Sequence, residues 1–209
     1  SVTPTTTSGG KQFIEFVVGS TRRLCLVTNQ YLLIRTADTA AGWVVGRNFT
    51  VTTARRAAVF RSAQTRDYMF VALGAGTNYW VWDGTDNTTT WTQDADDAAI
   101  NFTPYRDELF MLQQQTGGFF LRKSLTGGTD TSWGAGYAIT DRTNPASELV
   151  IFRERLFVGS EWGLYAPTVE AMMGRSFQVD YITPSFAAQR NANNTIGMHT
   201  WNDWLFTPM

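Results

Sequence analysis

The sequence predicts an all-β fold, a β-propeller of four-stranded blades about 45 residues long, with four blades and half of a fifth. Three observations predict it. From Phe13 onward the chain is written in short apolar runs of Val, Ile, Phe, Tyr, Trp and Thr separated by Gly, Asn, Asp and Thr clusters, the vocabulary of strands and turns. One segment recurs, clearest as Arg66-Asp67-Tyr68-Met69-Phe70-Val71, Arg106-Asp107-Glu108-Leu109-Phe110-Met111 and Arg153-Glu154-Arg155-Leu156-Phe157-Val158, with weaker forms at Arg22–Val27 and Asn202–Phe206. Anchored on Leu26, Phe70, Phe110, Phe157 and Phe206, the copies stand 44, 40, 47 and 49 residues apart, an interval typical of propeller arrays. The competing architecture is a β-sandwich or barrel, since regularly spaced short strands fit those folds as well.

Each unit then resolves into four strands. Ahead of the anchors lie Phe13–Val18, Ala57–Phe60, Ala99–Phe102, Leu149–Phe152 and Thr195–Met198 as first strands, and the anchor segment is the second. A third follows after a short turn at Tyr31–Ile34, Tyr79–Trp82, Phe119–Leu121 and Trp162–Tyr165, so the second and third form a hairpin. A bulky aromatic marks the fourth: Trp43, Trp91, Trp133 and Phe177, lying 17, 21, 23 and 20 residues past their anchors. Blades are expected at 11–53, 54–97, 98–143 and 144–194 with a partial blade at 195–209, all in one domain spanning 11–209. Only a closed ring removes sheet edges, so four and a half blades read as part of a larger propeller, or as one completed by the N-terminal strands. Thr168–Gly174 is the best helical candidate, about two turns long. Ser1–Gly10, rich in Thr, Ser and Gly, is expected to be a flexible arm; lacking an initiator Met, the chain reads as a processed product or a piece of something longer.

Composition narrows the function classes. With 43% hydrophobic, 14% aromatic and 17% charged residues the 209-residue chain can bury a core without disulfides or metals. Seventeen basic against 18 acidic residues leave a net charge of -1, so no polyanion footprint is present and specific nucleic-acid binding is not expected. Only Lys11 and Lys123 are lysines; the arginine excess suits fixed bidentate contacts at interfaces, with codon bias as the bland reading. Cys25 is the single cysteine, which excludes an intrachain disulfide or a cysteine metal cluster. No apolar run approaches the length of a membrane span and the N-terminus lacks signal-peptide regions, so no membrane partner is expected.

Reactive chemistry is scarce. His199 is the only histidine and reads as a strand or interface residue rather than a catalytic base, and Cys25, flanked by Leu24 and Leu26, reads as a small buried apolar side chain. Asp94, Asp96 and Asp97 read as a solvated turn, and Asp83-Gly84-Thr85-Asp86-Asn87 lacks the ligand order of a calcium loop. A glycosidase would need two carboxylates facing across a cleft, and Asp83, Asp107 and Asp203 would be the first to test. Gly117-Gly118 and Gly127-Gly128 read as hairpin turns rather than phosphate loops. No catalytic, metal or cofactor residue is therefore assigned, and no cofactor is expected. Tyr79, Trp80, Trp82 and Trp91 are the candidate glycan contacts, set against a core reading; Arg66, Arg106, Arg153 and Arg155 are the candidate interface residues, because they recur beside the second strand.

Two resemblances bear on function. Tyr79-Trp80-Val81-Trp82-Asp83-Gly84 followed by Trp91-Thr92 resembles the repeat of kelch-like surface propellers, in which an Asp-Gly turn leads into a Trp-bearing outer strand. Leu149-Val150-Ile151-Phe152-Arg153-Glu154-Arg155-Leu156-Phe157-Val158-Gly159-Ser160, with Gly163–Ala166 and Phe177 after it, resembles a segment of the tail nozzle proteins of short-tailed bacteriophages, over about 30 of 209 residues. That likeness implies a non-enzymatic structural protein of the virion tail, partnered by other tail proteins and arranged as a cyclic homo-oligomer, with DNA passing through the tail channel. The rival reading is a carbohydrate-binding or glycan-hydrolysing surface propeller; a β-sandwich capsid decoration protein is a third.

Overall fold

A computed structural model describes residues 10–36, 42–51, 56–61, 67–85, 90–124, 133–167, 179–181 and 198–207. Every described element is a strand. The first sheet contains β1 (Gly10–Val18), β2 (Thr21–Thr28), β3 (Tyr31–Arg35) and β4 (Trp43–Asn48); the second contains β5 (Arg56–Arg61), β6 (Asp67–Ala72), β7 (Asn78–Trp82) and β8 (Trp91–Ala98). The third contains β9 (Asn101–Tyr105), β10 (Glu108–Gln115), β11 (Gly118–Ser124) and β12 (Tyr137–Thr140). The fourth contains β13 (Ala146–Phe152), β14 (Arg155–Ser160), β15 (Leu164–Pro167) and β16 (Val179–Tyr181), and β17 (His199–Trp201) pairs with β18 (Trp204–Phe206) in the fifth. In each sheet consecutive strands are hydrogen-bonded neighbours and antiparallel. This is a β-propeller of four blades with an incomplete fifth.

The packing follows from the period of two along a strand. On β6, Met69 and Val71 face the first sheet, joining Phe16, Cys25, Val27, Leu32 and Ile34, while Phe70 and Ala72 face the third, joining Phe102, Leu109 and Met111. On β10 the pattern repeats: Leu109 and Met111 look back, and Phe110 and Leu112 look forward to Leu149, Leu156 and Val158 of the fourth sheet. Phe157 then looks forward from β14 to a cluster that includes Met198 and Leu205. A strand buried on both faces must be apolar at every position, which is why the anchor segments are the most legible part of the repeat. Aromatic contacts cement the first junction: Trp82 stacks flat on Trp91 at 5.2 Å and 5°, and Phe16 lies tilted 5.2 Å from Trp82.

Between first and second strands the later sheets use two-residue turns with both central residues left-handed: Arg106 and Asp107 (φ 48° and 61°), Arg153 and Glu154 (46° and 58°), Asn202 and Asp203 (43° and 62°). These are type I′ turns, whose twist matches that of the strands they join. The turns are linked in series across blades: Tyr105 Oη donates to the Glu154 carbonyl, and an Arg153 nitrogen lies 3.4 Å from the Asp203 carbonyl.

Three local expectations change. In the fifth unit the described strand is His199–Trp201; of the expected Thr195–Met198 only Met198 is described, and it lies just ahead of that strand, fully buried against the fourth sheet. Trp133 stands outside its fourth strand, in an isolated bridge to Ser124, because its ring packs edge-on to Tyr79 and its indole N–H donates to Tyr79 Oη at 3.1 Å. Gly10, placed in the arm, opens β1. The helical candidate 168–174, Phe177, the Gly127-Gly128 turn and residues 1–9 of the arm lie outside the described residues.

Candidate functional site

The first strands of the blades line the axis of the array, and three of them bring polar side chains together there. Arg56 on β5, Asn101 on β9 and Glu148 on β13 pair across their sheets with Ala72, Leu112 and Gly159, each two residues past its anchor, so the three positions are structurally equivalent. Glu148 Oε2 accepts from Asn101 Nδ2 at 2.7 Å and lies 3.0 Å from Arg56 Nε. Arg56 also donates to the Met198 carbonyl at 3.2 Å, and Gln12 on β1 accepts the Ala57 N–H at 2.8 Å. Glu148 is 3% exposed, so its charge is held by pairing rather than by water. Asn101 Oδ1 is buried without a hydrogen-bond partner among the described atoms. The arrangement ties the second, third and fourth sheets and the start of the fifth into one array.

A second polar cluster joins the second and third sheets. Asp97 Oδ1 accepts from Arg122 at 2.7 Å and from Gln113 Nε2 at 2.8 Å, while the same guanidinium reaches the carbonyls of Trp133 and Gly134. Asp94 Oδ1 accepts the N–H groups of Asp96 and Asp97, at 2.9 and 2.7 Å. Asp94 and Asp97 are therefore buried rather than part of a solvated turn; only Asp96 of the three is exposed. Among the described residues no three His, Cys, Asp or Glu side chains gather as a metal-binding set.

The aromatic candidates are core. Tyr79, Trp82 and Trp91 are buried between blades and present no face to a sugar, and burial pushes the Tyr79 phenol well above its ordinary pKa. Trp80 is half-buried with the Arg47 guanidinium 3.7 Å from its ring centre, which occupies a stacking face; burial in turn lowers the Arg47 pKa. Arg106 and Arg153 are exposed type I′ turn residues and Arg155 follows the second turn, each guanidinium lying over an aromatic ring of a strand beside the turn, Tyr105, Phe152 or Phe157. Arg66 lies outside the described residues. Of the carboxylates considered for hydrolysis, Asp107 and Asp203 are second turn residues and Asp83 caps its own turn by accepting from Thr85. His199 is exposed, its ring stacked on Phe206 at 5.1 Å, and Cys25 is fully buried.

No family model matches the chain, and neither a curated protein nor a solved structure does.

The remaining surface feature is apolar. Among the described residues the exposed large apolar side chains are Phe13, Val17, Leu24 and Val44 on the first sheet, Trp201, Trp204 and Phe206 on the fifth, and Trp162 alone between them. On the first sheet Phe13, Glu15 and Val17 pair with Leu26, Leu24 and Arg22, so they share the face opposite Phe16 and Cys25, against which no described strand of another sheet packs in the core clusters, although Leu33 on it is buried. Phe13 and Trp43 rings meet there at 6.2 Å. On the fifth sheet His199 pairs with Phe206 and Trp201 with Trp204, which places four aromatic rings on the face opposite Leu205. Sequence reasoning missed these two faces because exposure of a strand's second face depends on whether another sheet covers it, which no local pattern records.

Proposed function

We propose that the chain is a non-catalytic structural component of a bacteriophage tail, resident in the virion, that works by assembly with copies of itself and with other tail proteins. The observation that carries this reading is the concentration, among the described residues, of exposed aromatic and aliphatic side chains on the first and fifth sheets. Contiguous apolar surface of this kind marks protein contact. The buried polar clusters tie neighbouring blades together, and the resemblance of Leu149–Ser160 to nozzle proteins supports a tail setting. In particles purified from a phage that encodes the chain, gold-labelled antibody is expected at the tail. Particles that carry no label, with selective binding of the purified chain on a glycan array, would turn the reading to a carbohydrate-binding propeller.

A further inference from the structure

We infer that the outer edge of the junction between the first and second sheets is a binding site for a small oxyanion, held by Arg47 of β4 and Trp80 of β7. Two donors meet there with nothing to accept from them. Arg47 Nε and the indole Nε1 of Trp80 are both shielded from water, and neither has a hydrogen-bond acceptor among the described residues. They belong to one place, because the guanidinium carbon lies 3.7 Å from the centre of the Trp80 ring. A shielded donor without an acceptor is costly, and more so when it carries charge. No Asp or Glu pairs with Arg47 among the described residues, and loss of solvation is what lowers its pKa. An oxyanion supplies what both groups lack: acceptor oxygens for the two N–H groups and a negative charge for the guanidinium.

The next junction shows the same position with the anion built in. Trp80 pairs with Val71 and Arg122 with Met111, each partner one residue past its anchor, so Trp80 and Arg122 are structurally equivalent. Facing Arg122 is Asp97, from the outermost strand of the preceding sheet, which accepts from it at 2.7 Å and from Gln113 at 2.8 Å. Facing Trp80 is Arg47, again from the outermost strand of the preceding sheet. A carboxylate therefore sits among donors at the second junction, whereas the first brings two donors together without one. Arg47 pairs with Leu32, which lies in the core between the two sheets, and Trp80 packs against the same core, so the strands that carry both donors are fixed. Entry is from the solvent side of this edge. Arg47 and Trp80 are half-buried there, and Gln93, which pairs with Trp80 on the outermost strand β8, is exposed. The site lies wholly within the first two sheets.

The test uses the full chain with isotope-labelled tryptophan, in which each of the eight Trp residues gives one indole N–H signal in a heteronuclear correlation spectrum. Trp80→Phe identifies the Trp80 signal by its loss. Sodium phosphate, and in a second arm sodium acetate, replaces chloride at constant ionic strength, so that screening does not change. The expected result is a saturable downfield shift of the Trp80 signal with the other indole signals unmoved. That shift is expected to be lost in Arg47→Gln and to need several times more anion in Arg47→Lys, since an ammonium lacks the planar fork of donors. The two arms tell a tetrahedral from a planar oxyanion, and a response to either supports the site. No shift of that signal with either anion overturns the proposal, as does a linear drift of all the signals together, which marks an adventitious ion only. A shift that persists in Arg47→Gln, with the other indole signals as in wild type, overturns it too, because the anion then binds elsewhere. None of these outcomes bears on particle labelling, so the tail reading is decided separately.

Discussion

Cys25 shows what burial does to a single ionisable group. Enclosed by Phe16, Val27 and their neighbours, its thiol is pushed up to about 12 by loss of solvation, against a smaller opposing pull from Arg23. The unfolded thiol ionises near 9.0 while the folded one stays protonated toward 12. Stability is therefore complete below pH 9 and falls as pH rises toward 12, by up to about 1.4 kcal/mol per unit in that window. Urea midpoints of wild type are expected to drop between pH 9 and 11 and those of Cys25→Ala to drop less steeply; parallel curves would remove the thiol from the account. The alternation of Leu24, Cys25 and Leu26 was enough to read this burial from the sequence. Arg122 is the opposite case, since nothing local marks a partner 25 residues away. Its guanidinium serves Asp97, Gln113 and two carbonyls, so Arg122→Ala leaves a buried carboxylate short of donors and is expected to lower unfolding free energy by about 3 kcal/mol in urea titration. Arg122→Lys should recover only part of that, because an ammonium cannot span the same donors.

At the scale of elements the turns decide more than their charges suggest. Arg106, Arg153 and Arg155 read as interface residues in the sequence because they recur beside the second strand. The two-residue gap between apolar runs was the better signal, and the left-handed backbone at both positions is the consequence of a type I′ turn. An L-residue with a Cβ pays about 1 kcal/mol for that conformation, less for Asn and almost nothing for Gly. Arg106→Asn with Asp107→Gly is therefore expected to raise stability by about 1 kcal/mol, after loss of the weak contact of Arg106 with Tyr105; a decrease in the urea midpoint would show that the side chains matter more than the backbone. Gly84 makes the reverse point. It turns after β7 at φ 76°, and a Cβ there would lie 2.6 Å from Phe16 Cε1 and still closer to Val18. Gly84→Ala is expected to cost 2 kcal/mol or more, roughly the sum of turn strain and overpacking at the first junction, readable as a lower thermal midpoint.

The whole molecule is a stack in which each sheet meets its sequence neighbours, and that order explains what the sequence could reveal. Leu26, Phe70, Phe110, Phe157 and Phe206 all fall on second strands, because in the inner blades these strands lie between two sheets and every position must be apolar. The axial cluster was hidden for the complementary reason. Arg56, Asn101 and Glu148 stand 45 and 47 residues apart, and only a spacing within the range of the anchor intervals, with no local motif, ties them together. Nearest-neighbour packing also sets how the molecule opens. In such arrays stability is close to a sum of terms for each unit and each junction, so a sheet with two junctions is held more firmly than one with a single junction. The second and third sheets are covered on both faces and tied by Asp97 to Arg122, whereas the fifth has, among the described residues, two strands, one covered face and largely exposed side chains. Amide hydrogen exchange is accordingly expected to be slowest in β6 and β10 and fastest, by several orders of magnitude, in β17 and β18. Uniform exchange across all five sheets would mean that the chain opens as one cooperative body, and the nearest-neighbour account of its stability would have to be abandoned.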